Sequence, residues 1–140
     1  MRVEGAKARG RMEKVRRFED LEAFQKERFL CKEVYSVTSS SPFCNDYRFV
    51  QQIRAAAGSI MDNIAEGFER NGNKEFANFL YIAKGSCGEV RSQLLRAHDV
   101  GFVSDSVFEQ LYNGALEIGR LLYHLIQMIK RNGNPGVKYM

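Results

Sequence analysis

Residues 76–101 read FANFLYIAKGSCGEVRSQLLRAHDVG, and two series spaced by seven run through them. Phe76, Ala83, Val90 and Ala97 form one series; Leu80, Cys87, Leu94 and Gly101 form the other. An a/d repeat sustained over almost four heptads predicts a long helix packed along one stripe against other helices. Asn73 is the expected N-cap, with Glu75 placed at the positive end of the dipole. Gly101 is expected to close this helix, and Ser104 to cap the next after a short link. That next helix repeats Phe108, Ala115, Leu122 and Ile129 with Leu111, Ile118 and Leu125, and stops at Asn132-Gly133-Asn134-Pro135.

Working back toward the N-terminus, Phe49, Ile53, Ala56/Ala57, Ile60 and Ile64 mark a helix from about Asp46 to Glu66. Asn45 or Asp46 is its N-cap, and Gly67 stands where a left-handed C-terminal residue is wanted. Leu21, Phe24, Cys31, Val34, Tyr35 and Thr38 mark another from about Asp20 to Ser39. Ser39-Ser40-Ser41-Pro42 ends it, because serines compete for backbone hydrogen bonds and proline blocks continuation. No stretch shows sustained strand alternation. The expected fold is therefore all-α, an antiparallel up-down-up-down four-helix bundle over residues 18–131.

Composition agrees with one folded domain. The chain has 140 residues, 44% hydrophobic and 27% charged, with 12 glycines and 2 prolines. That apolar content excludes general disorder and a collagen-like chain. There is no run of eighteen apolar residues and no apolar segment of a secretory signal, so no membrane role is expected. Cys31, Cys44 and Cys87 are odd in number and widely spaced, which argues against a zinc site or a disulfide framework. Cys31 and Cys87 fall on apolar faces, where a thiol packs as a small hydrophobe. The set suits a reducing compartment, so a cytoplasmic location is expected.

Charge is unevenly spread. Residues 1–17 hold seven bases (Arg2, Lys7, Arg9, Arg11, Lys14, Arg16, Arg17) against two acids, a net of +5. Residues 18–140 hold 14 bases and 15 acids, a net of −1. The first segment also lacks apolar periodicity, so it reads as a disordered basic arm, with residues 132–140 a flexible tail. Such an arm can contact nucleic-acid phosphates by counterion release, or simply solubilise the chain.

Catalytic signatures are thin. A di-iron bundle needs Glu-x-x-His on two helices, yet Leu95 and Leu121 stand three residues before His98 and His124. His98 is expected to meet terminal carbonyls or solvent. Gly85-Ser86-Cys87-Gly88 lies mid-helix without a preceding strand, so it is no phosphate loop. Its glycines are expected to permit a close helix crossing. No nucleophile elbow occurs, and neither enzyme activity nor a cofactor is expected.

Two features remain. Asp62, Asn63, Glu66, Glu69 and Arg70, then Lys74, Glu75 and Glu89, gather around one helix–loop–helix corner, as a solvated ion-pair network or a partner contact. The last helix also carries more apolar residues than one stripe needs. Val107, Leu121 and Met128 extend it on one flank, Tyr112 and Ile126 on the other. Self-association through Tyr112, Leu121, Ile126 and Met128 is the economical explanation, and a thick monomeric core the alternative.

These residues carry a resemblance. Asn63-Ile64-Ala65-Glu66-Gly67-Phe68, Lys74-Glu75-Phe76, Phe79-Leu80 and Ile82-Ala83-Lys84-Gly85-Ser86 resemble the bacterial four-helix bundle proteins encoded within 23S rRNA intervening sequences. Arg54-Ala55-Ala56 and Phe18-Glu19-Asp20-Leu21-Glu22 are similar too, so the likeness spans about residues 18–131. That family is similar in turn to the accessory variability determinants of diversity-generating retroelements. The resemblance implies a homo-oligomer, with a pentamer favoured, that binds RNA or DNA or a nucleic-acid-processing protein. It implies no reaction. A scaffold without a nucleic-acid role is the alternative. Two departures stand out: Met61-Asp62 replaces the Pro-Ala common before the corner, and the near-neutral body puts the expected phosphate contacts in the arm.

Overall fold

The computed structural model of the chain describes residues 15–70 and 72–132. Among them lie four long helices and no strand: α1 (Glu22–Thr38), α2 (Tyr47–Glu69), α3 (Asn73–Asp99) and α4 (Asp105–Asn132). Single 3-10 turns at Phe18–Asp20 and Phe43–Asn45 precede α1 and α2. Each helix packs on its neighbours in sequence, and α1 also packs on α4, which closes a helical bundle. The α2–α3 and α3–α4 pairings are dense, while α1 lies more thinly against its two neighbours.

The helix ends show why the elements stop where they do. The Phe49 N–H donates to Asp46 Oδ1 at 3.2 Å, so Asp46 caps α2. The Val107 N–H donates to Ser104 Oγ at 3.2 Å, the expected cap of α4. At the end of α3, Gly101 takes φ +81. The Phe102 N–H bonds Ala97 O at 2.8 Å and the Gly101 N–H bonds His98 O at 3.1 Å, which makes a Schellman closure. The cap of α3 falls on Gly72 at φ 141, one residue before the expected Asn73. At the end of α1, the Thr38 hydroxyl donates to Val34 O at 2.7 Å and accepts from Arg54 Nε at 2.9 Å, which ties α1 to α2.

Three glycines depart from expectation. Helix α2 runs through Gly67 to Glu69, and the positive-φ glycines among the described residues are Gly72 and Gly101. Gly67 is needed for space instead: a Cβ there would lie 2.5 Å from Phe79 Cβ, so α2 and α3 meet closely at this point. Gly85 and Gly88 are not crossing points. A Cβ on Gly85 would meet nothing within 4 Å, and one on Gly88 would meet only the Arg91 side chain, at 4.0 Å.

The core is a continuous set of buried aliphatic and aromatic side chains. Ile53, Ile60, Ile64, Leu80, Cys87, Val90, Leu94, Ala115 and Leu122 are all 0% exposed. Each large aliphatic among them stabilises the fold by about 1.5–3 kcal/mol. Phe43, Phe49 and Phe102 gather with centroids 5.0–6.1 Å apart where the α1–α2 and α3–α4 links meet. Phe18, Phe24, Phe68 and Phe76 form a second cluster by the α2–α3 corner. Val15 is 3% exposed and joins the core, so the packed part reaches at least three residues before the expected boundary at Phe18.

Candidate functional site

The acidic corner after α2 is a surface network. Arg70 bridges Glu66 Oε2 at 3.0 Å and Glu75 Oε2 at 3.9 Å, and lies 5.0 Å from the Phe79 ring. Asn63 turns inward along its own helix. Its amide donates to Ser59 O at 2.8 Å and Ser59 Oγ at 3.0 Å, and Ser59 Oγ bonds Ser86 Oγ on α3 at 3.1 Å. Lys74 stands apart, on the rim of an apolar depression of about 480 Å³ beside Tyr81 and Ile129. Gly67 allows the helices to approach. Exposed pairs of this kind contribute little to stability.

Other expected site residues are dispersed. Arg2, Lys7, Arg9, Arg11 and Lys14 lie outside the described residues; Arg16 and Arg17 are exposed, and Arg17 reaches Asp20 at 3.8 Å. Leu121 and Met128 are half-buried on α4, as is Tyr112, whose ring lies tilted against Phe108 with centroids 5.2 Å apart. Ile126 is 0% exposed within the single chain, so it cannot face a neighbouring subunit. The apolar belt of α4 is wide partly because the helix packs on α1 and α3 at once, and Ile126 is consumed there. His98 Nε2 sits 2.6 Å from Asp105 Oδ1 and its ring stacks on Phe108 at 4.7 Å, so it bridges α3 and α4 instead of meeting terminal carbonyls.

What the sequence reading missed is a basic groove between α3 and α4. Lys84 and Arg91 from α3 face Arg120, Tyr123 and His124 from α4 across a depression of about 340 Å³. Leu116 and Gly119 line it as well, and a Cβ on Gly119 would stand 4.0 Å from Cys87 Cβ, so a thin floor separates groove from core. Arg91 lies with its guanidinium carbon 5.7 Å from the Tyr112 ring, and its Nε is buried without a hydrogen-bond partner. Among the described residues, none of Lys84, Arg91 and Arg120 forms an ion pair. Three uncompensated cations around a concavity attract anions. The signal in sequence was slight: Lys84 and Arg91 each follow a core position, seven apart, but only folding brings Arg120 opposite them.

The second unforeseen feature is Glu27. It occupies the apolar stripe of α1 between Phe24 and Cys31, is 0% exposed, and neither carboxylate oxygen has a hydrogen-bond partner. Burial, reinforced by the charge of Asp62, pushes its carboxyl up to about 9, so it is neutral at pH 7. Burial and then Glu27 push the Cys87 thiol up to about 12, against a smaller opposing pull from Arg91 and Lys84. Burial also raises the Cys31 thiol. Both thiols therefore stay protonated and pack as apolar groups, since nucleophilic chemistry needs the thiolate. A charged residue inside the 24/27/31/34 spacing was the available signal.

Among the described residues, no group of three or more His, Cys, Asp or Glu side chains is placed to hold a metal ion, and no helix is long and apolar enough to cross a membrane. No curated protein matches the chain. A solved structure from Bacteroides thetaiotaomicron, described as a protein with unknown function from the S23 ribosomal protein family, matches with a TM-score of 0.69 at 21% identity. The match covers 74% of this chain and 97% of that one, and at this identity it bears on the fold alone. The family model described as 23S rRNA-intervening sequence protein matches residues 19–124. With that match running from before α1 into α4, the chain belongs to the 23S rRNA-intervening sequence protein family.

Proposed function

We propose that the chain is a non-enzymatic, self-associating bundle that binds the phosphate backbone of RNA or DNA in the α3–α4 groove. The observation that carries this reading is the set of three cations, Lys84, Arg91 and Arg120, converging on one concavity without an ion-pair partner among the described residues. A body of net charge −1 thus hides a locally cationic face. The basic residues of the N-terminal segment add further phosphate contacts. Assembly into a homo-oligomer of antiparallel up-down-up-down bundles, five subunits favoured, belongs to the same proposal, as does a cytoplasmic location. Half-buried Leu121 and Met128 on α4 support the assembly, because they leave apolar surface outside the core.

A salt titration of binding to a single-stranded oligonucleotide tests it. Each phosphate neutralised on a single strand adds about −0.7 to the slope of log affinity against log salt. Replacing exposed Lys84 and Arg120 by Gln is expected to make the slope shallower by about 1–2 per chain. An unchanged slope would remove the groove from the proposal. A protein-interaction scaffold is the second reading, favoured by Phe29 at 60% and Val100 at 57% exposure. It is the outcome if the chain binds no nucleic acid in this titration.

A further inference from the structure

Tyr123 stands on the rim of the basic groove and is 48% exposed. Two other tyrosines of similar exposure already carry a cation on the ring. The Arg54 guanidinium sits 4.4 Å from the Tyr35 centroid, and the Lys130 ammonium sits 5.5 Å from that of Tyr81 while bonding its hydroxyl at 3.1 Å. Tyr123 has no such cover among the described residues. Its ring contact among the described residues is with His124, at 5.7 Å and 68° between planes, an edge arrangement, and at 48% exposure the ring keeps surface for a further partner. An exposed aromatic ring beside cations without acidic partners is the combination that binds a base and its phosphates together.

The groove is also small. Its 340 Å³ lies near the lower end of ligand-pocket volumes, about 300–1,000 Å³, the scale of one nucleotide. Duplex bases are stacked and paired already, so their faces are closed to a side chain. We infer that the groove selects single-stranded nucleic acid: one base stacks on Tyr123 while flanking phosphates lie against Lys84, Arg91 and Arg120. Lys84 and Arg91 are separated by about 10 Å of helix axis, so the cations bracket the stacked base along the strand. This rests on the phosphate-binding reading above and adds the substrate class.

The experiment is fluorescence anisotropy of the full chain over a salt series. One probe is a labelled oligouridylate and the other a labelled RNA hairpin with the same number of phosphates. The single strand is expected to bind more tightly. Tyr123→Ala is expected to weaken oligouridylate binding by about 5- to 100-fold at every salt concentration, with its salt slope and the hairpin affinity unchanged. Tyr123→Phe should retain binding. Tyr123→Leu, which keeps apolar bulk without a π face, should behave like alanine. If Tyr123→Ala has no effect, or weakens both probes alike, or if leucine rescues, the stacking inference is overturned. The phosphate reading then survives only if Lys84→Gln with Arg120→Gln still lowers the slope; loss of that effect overturns both.

Discussion

At the scale of single residues, Glu27 is the most consequential side chain in the core. Its carboxyl rises from 4.5 to about 9 on folding, so between those values the folded chain holds a proton that the unfolded chain has lost. Stability from this group therefore falls as pH rises through that window, by at most about 1.4 kcal/mol per pH unit. Glu27→Leu is expected to remove that slope and to stabilise the protein at neutral pH by about 1–3 kcal/mol, since an unsatisfied polar group leaves the core. Urea midpoints measured across the pH range decide this; an unchanged pH profile would place Glu27 outside the pH response. Gly67 behaves differently from its fellow glycines. Gly67→Ala forces a Cβ to 2.5 Å from Phe79 Cβ and is expected to cost about 1–3 kcal/mol, read as a lower melting temperature. Gly85→Ala meets open space inside a helix and is expected to stabilise by up to about 1 kcal/mol in the same assay.

At the scale of the helices, the boundaries depend on a few local devices. Gly101 sits at φ +81, so Gly101→Ala is expected to destabilise by about 1–2 kcal/mol through left-handed strain. Asp46→Ala removes the acceptor for the Phe49 N–H and should cost about 1 kcal/mol, which chemical denaturation can read. These devices were legible beforehand, because Asp46, Ser104 and Gly101 act within a few residues of themselves. The role of Gly67 was not legible. A left-handed helix end and a close helix contact both call for glycine, and only the position of Phe79 on the facing helix separates them. Ile126 failed for a related reason. Periodicity places it beside the core stripe, but whether a flank is covered depends on how widely two neighbouring helices wrap the one between them.

At the scale of the whole molecule, assembly is the open property. Leu121→Glu with Met128→Glu puts charges on apolar, half-buried positions of α4, where desolvation would oppose subunit contact. Light scattering is expected to show an oligomer for the unmodified chain and a 16.0 kDa particle for the double variant. A monomer in both cases would end the assembly proposal. The basic N-terminal residues are better tested by Lys/Arg→Gln substitution than by a chain starting at Phe18, because truncation would also strip Val15 from the core.

The sequence by itself determined the helical class, the four helices to within a few residues, and the core stripes. Heptad spacing and helix caps are local, so their physics is complete within one segment. The corner motif likewise carried the family resemblance, which the match over residues 19–124 bears out. Tertiary structure alone decided where charge accumulates. Lys84 and Arg91 meet Arg120 only because α3 and α4 pack side by side, and a summed charge of −1 cannot show which bases lack acids nearby. It also decided that Glu27 is buried. A carboxylate at one position of an apolar stripe can bend out to water or be enclosed, and that depends on the helices closing over it.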